Sequence, residues 1–114
     1  MKILILDDDK ERHRAFKKNL IGNTLTHTYT ASECIEQLKN GTWDICFLDH
    51  DLGGQVYQES KEGTGWEVAK WIHDNLEKKP RRVIIHSFNQ PAAMKMKNLI
   101  VGSEYVPGVW EMIN

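Results

Sequence analysis

The stretch "ICFLDHDLGGQ" at residues 45–55 decides the fold prediction. Its first four residues, Ile45–Leu48, are all apolar, and such an unbroken run is typical of a strand covered on both faces of a parallel sheet. Three polar residues, Asp49, His50 and Asp51, follow directly. A turn alone does not require two acids and a histidine in succession. This strand end is therefore also the first candidate for a functional site.

The same apolar pattern recurs on both sides of this stretch and alternates with helical patterns. Residues 3–6 and 83–85 predict two more buried strands, residues 25–29 are β-prone, and residues 105–106 predict a short fifth strand. Strands separated by helices favour right-handed crossovers and a parallel sheet. The sequence therefore predicts an α/β protein, a three-layer α/β/α sandwich with a five-stranded parallel sheet. We expect the common flavodoxin-like strand order 2-1-3-4-5, which makes the first, third and fourth strands neighbours.

Each predicted helix begins at a capping signal. A side-chain oxygen at the N-cap accepts hydrogen bonds from the first turn, and a Glu three residues later completes a capping box. The capping signal of the third helix comes only at Thr64, so a long insert follows Asp51. We expect this insert, the flap of residues 53–63, to overhang the strand ends. The signals are Asp9, Thr30 with Glu33, Thr64 with Glu67, and Pro91 in the first turn of the fourth helix.

The composition limits the classes of protein that fit. A chain of 114 residues suits one domain over residues 1–114, and a net charge of −1 provides no basic field for DNA, although residues 78–82 form a short basic run. Cys34 and Cys46 show no zinc spacing and fit reduced cysteines of a cytosolic protein. No stretch approaches the ~20 apolar residues of a membrane span. We expect a cytoplasmic protein that binds neither DNA nor membrane.

Polar side chains follow three of the predicted strands. In a doubly wound sheet, ligands bind outside the carboxyl ends of the strands, so these side chains are expected to converge. Carboxylates that converge repel one another and need a cation; Asp8 and Asp49, with Asp9 as a further candidate, favour Mg²⁺ or Mn²⁺. Such a cation attracts phosphate, whose oxygens Ser87, Asn89 and helix N-termini would bind. The residues are Asp7, Asp8 and Asp9 after the first strand, Asp49, His50 and Asp51 after the third, and His86, Ser87 and Asn89 after the fourth.

Four segments, "ILILDDD", "WDICFLD", "TGWEVAKWI" and "VIIHS", resemble in order and spacing the receiver domain, the phosphoacceptor module of response regulators. The resemblance implies a metal-binding acidic pair at Asp7 and Asp8, a phosphorylated aspartate at Asp49, and the switch Ser/Thr at Ser87.

The chain departs from the receiver pattern at three places. No lysine precedes Pro107 in "EYVPG", where receivers have a lysine that contacts the phosphoryl group. The last helix is expected to be short or absent, because only "GVWEMIN" follows. His50 and a long insert stand where receivers usually have a proline-containing turn. These departures weaken a signalling role.

A narrower resemblance fits the departures. "LDD", "FLDHDLG", "TGWEVAKWI" and "HSFNQPAAMKMK" resemble cyclic-phosphate-processing receiver domains, a divergent receiver family. The resemblance implies hydrolysis of a small cyclic phosphate or a cyclic-phosphate RNA end. Nickel or zinc bound through the histidines is the rival to magnesium or manganese. The residues it marks are Asp8, Asp49, His50, Asp51, His86, Ser87 and Asn89. Together with the strand-end argument and the receiver resemblance, we expect His50, His86 and Asp49 in catalysis, Ser87 and Asn89 on phosphate, and Asp7, Asp8, Asp49 and Asp51 on the metal.

Two hypotheses follow. The first is a metal-dependent phosphoesterase, in which one neutral and one protonated histidine share base and acid roles across one phosphate. The second is a non-catalytic receiver module, which carries phosphate on Asp49 or binds a protein partner. Plainer structural roles also exist: His50 as a turn residue, His86 as a core histidine, Asp9 as a helix cap. Glu11 and Arg12 lie in the first turn after the acids and are candidates for the rim of the site, but an exposed ion pair between them is expected. His13, His27 and His73 are assigned to surface or helix faces.

Overall fold

A parallel sheet of five strands forms the centre of the protein, whose computed structural model describes residues 1–112. The strand order is β2-β1-β3-β4-β5, which confirms the predicted topology. The fifth strand begins one residue earlier than the sequence pattern indicated. The strands are β1 (Lys2–Leu6), β2 (Thr24–Thr28), β3 (Ile45–Leu48), β4 (Arg82–Ile85) and β5 (Glu104–Tyr105).

Helices cover both faces of the sheet, because successive residues of a strand point to opposite faces. Leu4 and Leu6 pack with apolar residues of three helices in one core cluster, whereas Ile3 and Ile5 pack with Phe16 and the other two helices in a second cluster. This is the predicted three-layer sandwich. The helices are α1 (Lys10–Asn19), α2 (Ala31–Asn40), α3 (Gly65–Asp74), α4 (Gln90–Leu99) and α5 (Val109–Met112), with a 3₁₀ turn at Leu76–Lys78.

Three of the predicted helix starts are confirmed. Asp9 accepts hydrogen bonds from the backbone of the first turn of α1. Thr30 and Glu33 form the capping box of α2, and Pro91 lies in the first turn of α4. Local sequence was sufficient here because each cap is made within one turn of chain.

The predicted capping box of α3 is wrong. The Thr64 hydroxyl donates to the carbonyl oxygen of Lys61 at 2.6 Å and makes no bond to its own helix, while the Glu67 carboxylate accepts from the backbone N–H of Gly63 at 2.8 Å. The two side chains thus close the end of the flap, where the chain turns into α3.

Gly65 brings the start of α3 against the chain that leaves β3. Its backbone N–H donates to the carbonyl oxygen of His50 at 2.8 Å, and a Cβ atom here would overlap the carbonyl oxygen of Asp49. Only glycine fits so close an approach. Among residues 1–112, no helix is long and apolar enough to cross a membrane.

Candidate functional site

Three strand ends meet at one edge of the sheet. Strands β1, β3 and β4 are neighbours, with Leu6 opposite Leu48 and Leu48 opposite Ile85. The hydrogen bonds of the sheet continue one residue further, since the Asp49 N–H donates to Leu6 and the His86 N–H donates to Leu48. The side chains that follow the strands are therefore held by the sheet backbone, as the strand order predicted.

Asp7, Asp49 and His86 form a buried cluster at this edge. One oxygen or nitrogen atom from each lies within 4.8 Å of those of the other two, a spacing that fits a metal ion. All three residues are less than 5% exposed. A set of two carboxylates and one imidazole suits manganese and other transition metals, and with Asp8 the carboxylate oxygens also suit magnesium.

Arg12 reaches into this acidic cluster from the first turn of α1. Its Nη2 atom lies 2.9 Å from Asp7 Oδ1, 3.3 Å from Asp49 Oδ2 and 3.4 Å from Asp8 Oδ1. The expected exposed ion pair with Glu11 is wrong, because Glu11 pairs with Arg14. The alternative, that Arg12 lies at the rim because it is in the first turn after the acidic run, is confirmed.

His86 and Asp7 form a fully buried pair, with His86 Nε2 2.8 Å from Asp7 Oδ2. Burial would raise the pKa of Asp7, but hydrogen bonds with His86, the backbone of Asp9 and Arg12 lower it below its usual value. Burial lowers the pKa of His86, although Asp7 opposes this effect. A neutral His86 therefore donates its Nε2 proton to an ionised Asp7. Its Nδ1 atom has no hydrogen-bond partner among residues 1–112.

Asp49 is the acid least able to ionise. Its Oδ1 atom accepts from the backbone N–H of His50 at 2.9 Å, and its side chain is 6% exposed. Burial raises the pKa of Asp49 to about 8; the charge of Asp7 adds to the rise and Arg12 opposes it. A bound divalent cation would reverse this by favouring the charged carboxylate.

His50 forms the second acid–imidazole pair. Its Nδ1 atom lies 2.7 Å from Asp51 Oδ1, and its Nε2 atom lies 3.1 Å from the hydroxyl of Ser60 in the flap. The His50 residue is fully buried. Its outer nitrogen therefore contacts the flap and not the open cavity.

Asp51 anchors the flap. Its carboxylate accepts from the backbone N–H groups of Tyr57 at 2.7 Å and Gln58 at 3.1 Å, and from the side-chain amide of Asn89 at 3.1 Å. Burial would raise the pKa of Asp51, but its hydrogen bonds with His50, Asn89 and the flap lower it. The role of Asp51 as a metal ligand stays a prediction.

A cavity of about 610 Å³ opens between the flap and the strand ends. This volume suits a nucleotide-sized ligand. Residues 54–57 of the flap form one wall, which confirms that the insert overhangs the site. His50 and His86 are absent from its lining among the residues described, so their shared access to one phosphate stays a prediction. The lining consists of Asp8, Asp9, Arg12, Asp49, Asp51, residues 54–57, Ser87, Phe88 and Asn89.

The two residues predicted to bind phosphate both line the cavity. The Ser87 hydroxyl accepts from the backbone N–H of Asn89 at 3.0 Å, which leaves its own proton to donate. The Asn89 side chain caps α4 through a 3.4 Å bond from Ala92 N–H, and its amide also donates to the Gln58 carbonyl oxygen at 3.1 Å. Both stand where a helix N-terminus meets the cavity, but phosphate binding by them stays a prediction.

His13 contacts the backbone of Asp7, a role that the sequence pattern did not indicate. It is buried, and its Nε2 atom donates to the carbonyl oxygen of Asp7 at 2.8 Å. Its Nδ1 atom must then accept, so His27 Nδ1 donates to it across 2.6 Å. His13 thus fixes the backbone at the end of β1.

Comparisons with known proteins agree with this geometry. The family described as "Cyclic-phosphate processing Receiver domain" matches residues 2–102. No curated protein matches the chain.

Solved structures with the same fold include response regulators. TrrA from Thermotoga maritima, in complex with Mg²⁺-BeF, is 20% identical over 93% of this chain and 84% of its own, with a TM-score of 0.72. A two-component response regulator from Clostridium difficile is 22% identical over 95% of this chain and 83% of its own, with a TM-score of 0.73. The Mn²⁺-bound form of response regulator Rcp1 is 19% identical over 93% and 79%, with a TM-score of 0.73. At these identities the likeness shows the fold alone.

Proposed function

The chain belongs to the family of cyclic-phosphate processing receiver domains, and from this premise we propose that it is a metal-dependent phosphoesterase that opens cyclic phosphates at an RNA end or in a nucleotide. One observation carries the proposal. Two imidazoles are each bonded to an acid at the same sheet edge, His86 to Asp7 at 2.8 Å and His50 to Asp51 at 2.7 Å. Such pairs orient histidines for proton transfer, which a phosphoacceptor does not need.

The acidic cluster fits a divalent cation. Asp7, Asp49 and His86 offer ligand atoms within 4.8 Å of one another, and Asp8 adds a carboxylate at the same rim. TrrA is described with Mg²⁺ and Rcp1 with Mn²⁺, and we propose one of these two ions here. When bound, the ion would supply charge neutralisation and a more acidic water. Its chemistry favours oxygen ligands, so the rival nickel or zinc site would use the imidazoles more heavily.

Opening a cyclic phosphate needs two proton transfers. An oxygen of water bonds to phosphorus while one ring P–O bond breaks; the water gives up one proton and the departing ring oxygen takes one. We assign a proton-transfer role to His50, whose Nδ1 is fixed by Asp51. A shift of the flap that moves Ser60 away would direct the Nε2 atom of His50 to the cavity. Ser87 and Asn89 would bind phosphate oxygens.

His86 contributes differently. Its bond to Asp7 helps to hold that carboxylate ionised, and its own lowered pKa leaves the imidazole neutral near pH 7. A neutral imidazole beside an ionised acid can accept a proton that the reaction releases. We therefore assign His86 to the base side of the reaction and His50 to the acid side, an assignment in which the carboxylates of Asp7, Asp8 and Asp49 hold the metal without His86.

The second candidate is a phosphoacceptor or protein-interaction module. The observation that favours it is Asp49 itself, which ends the central strand β3 with its Oδ2 atom 3.3 Å from a guanidinium. In this case acetyl phosphate with Mg²⁺ would label Asp49, and the histidines would be dispensable.

The two candidates are separated by histidine variants. We expect wild type to open 2′,3′-cyclic nucleotides slowly, and His50→Gln or His86→Gln to reduce the rate by at least about a hundredfold. His73→Gln is the control, because His73 is exposed and, within residues 1–112, its side chain bonds only the backbone oxygen of Leu99. The rate is measured by chromatography of the opened product, and folding by circular dichroism.

Acetyl phosphate provides the opposing measurement. Intact-mass spectrometry of wild type after incubation with acetyl phosphate and Mg²⁺ should show no stable adduct. A stable phosphoryl group on Asp49, with no turnover of any cyclic phosphate, would refute the phosphoesterase hypothesis and favour the receiver module.

A further inference from the structure

Arg12 places one guanidinium among the acids that a divalent cation would use. Its Nη2 atom alone lies within 3.4 Å of carboxylate oxygens from Asp7, Asp8 and Asp49, and Nε adds a 3.0 Å bond to Asp7. These three carboxylates follow β1 and β3, so one guanidinium bridges two strand ends. Arg12 thus places a positive charge among carboxylates that would otherwise repel one another.

We propose that Arg12 is a built-in counter-cation: it neutralises the acidic cluster, is displaced from it when a divalent cation binds, and then binds the phosphate of the ligand. The phosphate part rests on the proposed function, whereas the competition with the cation does not. Arg12 is thus proposed as a ligand-binding residue as well as a competitor of the metal.

Charge explains the displacement. Asp7 and Asp49 are buried, so their charges are poorly screened and a cation between them is strongly favoured. A divalent cation on the same oxygens would repel the guanidinium and take over its hydrogen-bond acceptors. Arg12 and the metal therefore cannot both keep their full set of contacts.

The Arg12 side chain also has a contact that does not depend on the acids. The Cζ atom of Arg12 lies 5.0 Å from the ring centroid of Trp110, a cation–π contact that does not involve the acids. The side chain is 24% exposed and already lines the cavity, together with Ser87. A small rotation away from Asp49 would keep it on Trp110 and direct it toward a ligand beside Ser87.

The cavity offers a phosphate little other positive charge. Among its lining residues in the described part of the chain, Arg12 is the only lysine or arginine. The segment after β5, "VPG", supplies no lysine where typical receivers have one. A guanidinium matches phosphate with two parallel hydrogen bonds, so Arg12 can fill this role from a different element of the fold.

The first test is metal affinity. Arg12→Gln should bind Mn²⁺ about tenfold or more tightly than wild type in isothermal titration, because the competing charge is gone. Without metal, the same variant should melt at a lower temperature, since three carboxylates lose their counter-ion. Arg14→Gln, on the same helix but exposed and paired with Glu11, should change neither value. Equal or weaker Mn²⁺ binding by Arg12→Gln would overturn the proposal.

The second test is phosphate binding in the presence of saturating Mn²⁺. Inorganic phosphate should bind Arg12→Gln about tenfold more weakly than wild type, and Arg12→Lys should recover part of the loss. Unchanged phosphate affinity would remove the second half of the proposal. If Arg12→Gln does not fold, Arg12→Lys keeps the charge but loses the paired hydrogen bonds, and it should still bind phosphate more weakly than wild type, by a smaller factor.

Wild-type protein gives a direct readout. The ¹⁵N-detected Nε signal of Arg12 should shift during titration with Mg²⁺, and an unmoved signal at saturation would contradict displacement. None of these measurements requires turnover. A protein that opens no cyclic phosphate but shows tighter Mn²⁺ binding in Arg12→Gln would refute the proposed function and leave the counter-cation intact.

Discussion

At Asp49, burial and the neighbouring charge of Asp7 work against ionisation, while Arg12 favours it. The same carboxylate directly follows the central strand β3, where the residue is only 4% exposed to solvent. Removing water makes the residue reactive toward a cation or a ligand, since binding restores the charge that burial suppresses. The chemical capacity of this residue therefore comes from its surroundings.

The raised pKa of Asp49 predicts a pH dependence of stability. Between about pH 4, near its unfolded pKa of 3.8, and its folded pKa of about 8, the folded state keeps a proton that the unfolded state has lost. Asp49 therefore makes the protein less stable as pH rises through this range, and the loss is complete above pH 8. In EDTA, Asp49→Asn should raise the melting temperature more at pH 8.5 than at pH 4.5. An equal change at both pH values would contradict the raised pKa.

At the scale of elements, the flap and α3 are joined to the site by backbone contacts. Asp51 holds the flap through two N–H groups, and the flap's Gly54 N–H donates to Asp8 Oδ2 at 2.6 Å. At the other end of the insert, Gly65 packs on the backbone of Asp49 and His50. A movement of the flap would therefore change the hydrogen bonds of Asp8 and Asp51, and binding at these acids would in turn move the flap.

Gly65→Ala tests this close approach. The new methyl group would overlap the Asp49 carbonyl oxygen, and backbone cannot move aside as a flexible side chain can, so we expect a loss of about 3 kcal/mol in the free energy of unfolding. Gly41→Ala is the matched control, because its methyl group would meet only the Trp43 ring at an ordinary 3.5 Å. Urea denaturation measures both. A loss below that of the control would show that the start of α3 adjusts freely.

At the scale of the whole molecule, a cation at the site would join parts of the chain that are far apart in sequence. Asp7 and Asp8 follow β1 and Asp49 follows β3, so one ion would connect the carboxyl ends of two adjacent strands, and the bond of His86 to Asp7 extends this connection to β4. A ligand that binds only the folded protein stabilises all of it by mass action.

Magnesium should therefore raise the melting temperature of wild type. At a concentration of ~100 times the dissociation constant the gain is about 2.7 kcal/mol. Asp8→Asn should lose most of this shift, because it removes a carboxylate from the rim. Asp74→Asn, on the exposed end of α3, should keep it. If magnesium raises the melting temperature of Asp8→Asn as much as that of wild type, the metal site does not use the acidic run, and the rival nickel or zinc site on the histidines is favoured.

The sequence by itself determined the sheet, its strand order and the meeting of acids at one edge. Unbroken apolar runs and helical periodicity are local signals, and parallel topology then brings Asp7, Asp49 and His86 together whatever their side chains do. The short caps at Asp9 and Thr30 were also readable, since their partners lie within one turn.

Only the tertiary structure decided which side chains face one another. Arg12 could have paired with Glu11, but it turns inward because three poorly solvated carboxylates outweigh one exposed acid. Thr64 closes the flap instead of capping α3, and His50 points its outer nitrogen at Ser60. Each of these contacts depends on which groups, distant in sequence, are brought within hydrogen-bond distance by packing. The spacing of residues along the chain does not contain that information.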